Sequence, residues 1–353
     1  MKIRSAINLC YSQLFCLFTA SQCLAQSTPS EFAQMSLQEL FKQSIYDINK
    51  QQKPLSDWTF TYKYKAAEFE GYMDGSKPLS YDDVLWNGPS ETRTNKNFPI
   101  LPTKITQEAH ILAVRYQFNP RWQWNISIPY IKQATDHKSI VSDYETFTIE
   151  TAGVGDTSIS ASYHLNDDRW HLSFGLSLPT GSINEKGDTP RAPGNQQLPY
   201  TMQLGSGTYD FPIELSYQTS SISNFNINLS ANIRTGKNDR NYRLGNNYNL
   251  SSRYKVKLSP TLEVFSRLAF KYSESIHGQD DSILLDTPNP YPASITNPQL
   301  YGGKKIKFGL GALWEFAEGC QLNIELSKPI YQHINGPQPK EKWRSSFYIS
   351  KLI

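Results

Sequence analysis

Cysteine is nearly absent once the first 25 residues are set aside: Cys10, Cys16 and Cys23 fall within them, and only Cys320 lies beyond. A lone cysteine cannot close an internal disulfide, so no disulfide framework holds the rest of the chain. A second apolar run of about 18 residues is also lacking, which excludes a membrane-spanning helix after the first segment. Nor is there an excess of one charge. The net charge is +3 and the charges are scattered, so the chain lacks the basic footprint that nucleic-acid binding requires.

What is present begins with a targeting signature. "MKIR" supplies a positive start, "LFCLFTA" the apolar core, and "CLA" before Gln26 a small-residue cleavage site. Residues 1–25 therefore read as a signal peptide, cleaved after Ala25, that exports the remainder. In "MSLQELFKQSIYDINKQQKP" (35–54), Leu37, Leu40, Phe41 and Ile48 fall near helical spacing. Ser36 and Glu39 form a capping pair, and Pro54 follows the end. The stretch 26–56 is expected to be a periplasmic segment carrying this short helix.

From Trp58 the period becomes two. "DWTFTYKYK" sets Trp58, Phe60, Tyr62 and Tyr64 against Thr59, Thr61, Lys63 and Lys65; "RWQWNISIPY", "DRWHLSFGLSL" and "NFNINLSANIR" alternate in the same way. Such alternation marks strands with one apolar and one polar face. About a dozen runs of this kind, each roughly nine to twelve residues long, suit a tilted crossing of a bilayer. Their connections alternate, short turns following long loops such as 66–106, 133–154, 180–207 and 274–303. This parity predicts an all-β fold over 57–353: an antiparallel transmembrane β-barrel of about 12 strands, with short periplasmic turns and long extracellular loops. An even strand count leaves both ends of the barrel on the periplasmic side.

The polar faces carry Lys63, His110, Glu214, Arg253, Lys255, Lys257, Arg267, Lys271, Lys305, Lys307 and Glu325. These are expected to line a wet lumen, since such side chains are rarely buried without water or a partner. Cations outnumber carboxylates among them, which points to a mild anion preference. The assignment depends on register, because a slip of one residue exchanges the two faces. Trp58, Tyr130, Trp170, Tyr209, Tyr272, Trp314 and Trp343 lie at strand ends, where interfacial aromatic girdles are expected.

Catalytic signatures are missing. The six histidines, His110, His137, His164, His171, His277 and His333, show no metal-ligand spacing on a common element. No G-x-S-x-G occurs, and the acidic loops "NDD", "GQDD" and "SDYE" do not fit a calcium loop. The glycine-rich "PTGSINEKGDTP" and "LGSGTYDF" match neither phosphate-loop pattern and lead into an alternating strand instead of a helix. Gly205 and Gly207 are expected to permit a bulge or a close backbone approach at the rim. No catalytic residue, cofactor or metal ligand is assigned, and the chain is not expected to be an enzyme.

"TAGVGDTSISASYHL", "LSFGLSLPTGSINEKGDTP" and "LPYTMQLGSGTYDFPIELSY" together resemble the family of outer-membrane transporters named for meta-pathway phenol degradation. "YMDGSKPLSYDDVL" and "IPYIKQATDH" resemble parts of one branch of it, many of whose members are methionine-rich; this chain keeps only Met35, Met73 and Met202 after processing. The resemblance implies an outer-membrane barrel and uptake of small aromatic or hydrophobic compounds. A passive channel follows, with outer-membrane lipid, the barrel-assembly machinery and a small solute as partners. A plugged lumen would instead favour a structural or adhesion barrel, and a serine and histidine meeting on the lipid-facing wall would favour a lipid-processing enzyme.

Overall fold

In the computed structural model the described residues are 58–165, 169–219 and 225–353. The signal peptide, the helix over 35–54 and the "NDD" turn lie outside them. The strands of the wall are β1 (Trp58–Gly75), β2 (Ile100–Gln117), β3 (Trp122–Ser139), β4 (Thr146–Val154), β5 (Thr157–His164) and β6 (Trp170–Leu178). They continue as β7 (Asp210–Gln218), β8 (Phe225–Arg234), β9 (Asn247–Lys257), β10 (Leu262–Ser273), β11 (Gly303–Ala317) and β12 (Cys320–Leu352). Among the described residues no helix is long and apolar enough to cross a membrane.

The sheet closes on itself. Each strand of the ring pairs antiparallel with the next, and β12 returns to β1 with Leu352 opposite Thr59. The ring contains eleven elements, from β12 through β11 and onward to β1, while β4 stands beside it on β3. A ring whose neighbours are all antiparallel must nevertheless have an even number of staves, and β12 resolves the parity. Its first half runs against β11 (Cys320 opposite Ala317, Ile334 opposite Gly303), and its second half runs back down along β1. The reversal falls at Asn335, Gly336 and Pro337, where Gly336 has a φ of 137°. β4 and β5 are two parts of a single stave along β3, interrupted at Gly155 and Asp156. The wall thus has twelve staves, in agreement with the alternation.

Large apolar residues stand outward and exposed. Leu172, Leu215, Leu229, Leu250 and Phe270 form one cross-strand row around the wall, each between 37% and 53% exposed. A continuous apolar belt of this kind is intolerable in water and suits lipid. Trp58 opposite Tyr116, Trp122 opposite Tyr163 and Trp170 opposite Tyr217 pack as tilted ring pairs 4.6 to 4.8 Å apart near the short-turn end, forming part of an aromatic girdle.

β1, β2 and β3 each run 18 residues, well beyond the stretches their alternation marks. Their upper outward positions carry Glu68, Glu70, Lys104, Glu108, Lys132 and Asp136. There the outer face meets water, so polar residues occupy both faces and the period-two signal disappears while the hydrogen-bonded ladder continues.

Candidate functional site

The inward face of the wall defines a chamber. Because side chains alternate, the register that turns Leu250 and Phe270 outward turns Arg253, Lys255, Arg267 and Lys271 inward. By the same alternation Lys305, Lys307 and Glu325 face inward from β11 and β12, and Lys63 from β1, where it lies opposite Tyr348. Glu214 enters from β7, between Ser173 and Ser230. Lys257 lies opposite Glu263 at the lower end of its strand and is exposed.

His110 departs from this set. Alternation along β2 places Ile105, Gln107, Ala109 and Ile111 inward and buried, and hence His110 outward. It lies between Tyr64 and Tyr130, and its Nδ1 is 2.8 Å from the Tyr62 hydroxyl. The segment "QEAHILAV" has small or apolar residues on both faces, so a single polar residue does not reveal which face is wet. His110 is therefore an interfacial residue of the outer wall.

Two glutamates organise the cations. Glu325 Oε2 lies 3.5 Å from Arg253 Nη2 and 3.4 Å from Arg267 Nη1, holding two arginines that are direct cross-strand neighbours. Glu341 receives Lys305 Nζ at 2.6 Å and Arg344 Nε at 3.2 Å. Like charges placed opposite each other destabilise a sheet, so each shared carboxylate offsets a local repulsion. Glu341 and Arg344 are absent from the sequence-derived set, as is Lys65 on β1. Extending the strict alternation of "TFTYKYK" and of "RSSFYISK" inward finds Lys65 and Arg344; a bulge between Glu68 and Phe69 hides the phase of Glu341. The chamber is a cavity of about 120 Å³ that is open to the lumen. Its lining carries Lys65, Arg267, Lys271, Lys307 and Arg344 against Glu214 and Glu325, five cations to two carboxylates.

Above the chamber the long loops turn into the ring. Leu204, Ala293 and Ile295 pack with Ala67, Phe69, Ile105, Ala109, Ile111 and Ile131, which are inward-facing wall residues. Polar wall side chains hold the same segments by their backbone. Gln133 Nε2 donates to the Gln203 carbonyl (3.2 Å), Thr151 Oγ1 to that of Met202 (2.9 Å), and Gln338 Nε2 to that of Ser294 (2.8 Å). A second cluster, Tyr200, Tyr242, Leu244, Ile276, Ile283 and Tyr301, ties the loops 180–207, 236–245 and 274–303 to one another. Segments 198–204 and 292–301 thus form a plug inside the extracellular mouth.

The glycine-rich blocks anchor that plug. Asp156, at the break between β4 and β5, accepts from the Gly181 N–H (2.9 Å), the Ser206 N–H (2.8 Å) and the Ser206 hydroxyl (2.8 Å). "VGDT", "PTG" and "LGSG", which carry the family resemblance, therefore meet at one point of the rim. Between the plug and the wall lies a narrow cavity of about 40 Å³, largely apolar, lined by Ile100, Phe147, Ile149, Pro199, Ile283 and Ile295. His137 also lines it and stacks on Phe147 at 4.5 Å.

His164 and His171 are direct cross-strand neighbours with ring centroids 4.1 Å apart. Among the described residues no group of three or more His, Cys, Asp or Glu is placed to hold a metal ion.

No family model and no curated protein matches the chain. Solved structures do. An outer-membrane channel of Pseudomonas putida F1 superposes with a TM-score of 0.54 at 15% identity, over 86% of this chain and 98% of its own. The translocator domain of the autotransporter NalP from Neisseria meningitidis gives 0.48 at 8% identity, over 90% and 95%. The P. putida toluene transporter TodX gives 0.44 at 9%, over 85% and 91%. At these identities the first likeness is one of fold: the chain has the architecture of an outer-membrane β-barrel.

Proposed function

We propose that the chain is a passive outer-membrane channel for small solutes, exported by a signal peptide cleaved after Ala25 and gated by loops folded into its extracellular mouth. The observation that carries this reading is the charged chamber beneath the plug. Residues whose only task is to hold a wall together do not require five basic side chains around an open cavity. The plug itself is attached by side-chain hydrogen bonds and apolar contact, with one isolated bridge between Ile100 and Ala293 as its only backbone pairing to a wall strand among the described residues. Such contacts open at far lower free energy than a strand ladder.

The aromatic or hydrophobic solute class finds support in the cavity at the plug boundary. Its isoleucines, prolines and the Phe147–His137 stack form a narrow, largely apolar seam along the path a solute would take past the plug.

A structural or adhesion barrel is the second reading, and the tight apolar packing of the plug favours it. Planar-bilayer recording separates the two. Refolded protein is expected to open intermittently, and a chain lacking residues 292–300 to open more often and with larger conductance. Silence from both proteins would exclude the channel and leave the structural barrel.

A further inference from the structure

We propose that the chamber contains a binding site for a small organic anion, with Lys65, Lys307 and Arg344 as its centre and a carboxylate of the solute as their counter-charge. The proposal relies on the channel reading only for the way the anion arrives. The site itself is a property of the folded barrel.

The first argument is charge balance. Glu325 and Glu341 each already serve two cations. Among the described residues neither Lys65 nor Lys307 has a carboxylate within salt-bridge distance, and Lys65 is only 5% exposed. Two lysines without a carboxylate beside them leave the chamber with more basic than acidic side chains, a surplus that favours an anion as counter-charge.

The second argument is placement. Lys65 lies opposite Ser346 and Ala67 opposite Arg344, which makes Lys65 and Arg344 diagonal neighbours on adjacent staves. Ser327 joins the next stave, donating its hydroxyl to the Arg344 carbonyl at 3.4 Å, and it stands opposite Gly309, two positions from Lys307. The cations therefore converge from neighbouring staves, with small residues between them. Gly309, Ser345 and Ser346 line the same space and leave room for more than a bare ion.

The third argument is the apolar cavity above. A solute that enters beside Phe147 and Ile149 and then descends among lysines needs both an apolar body and an anionic group. An arylcarboxylate combines the two, and inorganic phosphate has only the second.

Isothermal titration of the refolded mature protein in detergent, with benzoate and separately with inorganic phosphate, tests the site without requiring conduction. Benzoate is expected to bind saturably. Lys65→Gln combined with Lys307→Gln should weaken it about tenfold or more. Lys132→Gln on the outer face should leave it unchanged. Heat-dependent gel mobility establishes that each variant is folded, and Lys65→Arg with Lys307→Arg, which keeps the charge, should retain binding. No benzoate binding, binding equal in the glutamine variant, or binding of phosphate alone would overturn the proposal. A barrel that binds benzoate but never conducts would sink the channel reading and leave the site standing.

Discussion

Gly181 and Gly205 touch through their backbones. A Cβ built on Gly181 would stand 2.6 Å from the Leu204 carbonyl oxygen and 2.7 Å from the Gly205 Cα. Neither glycine is required by a positive φ; each is required because no side chain fits between the loops that Asp156 draws together. Gly181→Ala must push the 198–204 segment away from the wall. The expected cost is about 1–3 kcal/mol, borne by the plug while the strands stay paired. Bilayer recordings should show a higher open probability, with heat-dependent gel mobility unchanged. A variant that gates like the parent would show that this contact does not hold the plug.

The outward row through Leu229 offers a direct test of the membrane-spanning band. Leu229 is 53% exposed, while Ser251, one stave away on β9, faces inward at 6%. Leu229→Arg is expected to cost about 2–4 kcal/mol in lipid vesicles, as lipid-facing arginines do near the midplane. Ser251→Arg meets a wet, polar chamber and should cost much less, while reducing conductance by its bulk. Urea titration of the two variants in vesicles checks the difference. Equal costs would place the membrane elsewhere on the wall.

Alkaline pH should loosen the plug. Tyr200 packs edge-on to Tyr242 at 4.8 Å and to Tyr301 at 5.7 Å, and the Tyr301 hydroxyl donates to the Ile295 carbonyl at 2.5 Å. Burial raises all three phenols above the ordinary value of 10.0. The closed state therefore keeps protons that a displaced, solvated plug would lose. Its stability is fully present below pH 10 and falls as the pH rises beyond it. Open probability is expected to climb above about pH 10, less steeply in Tyr242→Phe, which removes one of the titrating groups. A flat profile across this range would contradict the assignment.

How much of this was legible in the sequence depends on which solvent faced each residue. Where lipid lies outside and water inside, as along "NFNINLSANIR", alternation is strict and both strand and face can be read from it. Above the band, "AAEFEGYMDG" has water on its outer face and plug on its inner one, so β1 runs on to Gly75 without a periodic signal. His110 illustrates the same weakness: its wall segment meets apolar plug residues inside, so Ala109 and Ile111 face inward and the face carrying the histidine is the outer one. The plug itself had no local signature, since Leu198, Met202 and Ile295 are ordinary loop residues until long-range packing buries them to 1% or less. The anchoring block could be recognised by its glycines, but what those glycines approach is fixed by chain separations of roughly 25 residues and by a carboxylate at the break between β4 and β5.

The ion pair of Arg234 with Asp210 sets the last test. Arg234 Nε and Asp210 Oδ2 are 2.9 Å apart, and both side chains are fully shielded from solvent. The arginine also donates to the Gly245 carbonyl, while Asp210 accepts from Thr208 Oγ1 at 2.7 Å and from Asn232 Nδ2 at 3.3 Å. One pair thus joins the upper ends of β7 and β8 to the loop that enters the plug. Asp210→Ala leaves a buried guanidinium without its counter-charge and is expected to cost about 3–5 kcal/mol. Removing both charges, with Asp210→Ala and Arg234→Met together, should recover a large part of that loss, because the penalty belongs to the unpaired ion and not to the missing pair. Urea unfolding of the parent, both single variants and the double variant completes the cycle. If the double variant is as unstable as the sum of the singles, the arginine acts chiefly through its loop carbonyl, and the plug rather than the strand ends depends on it.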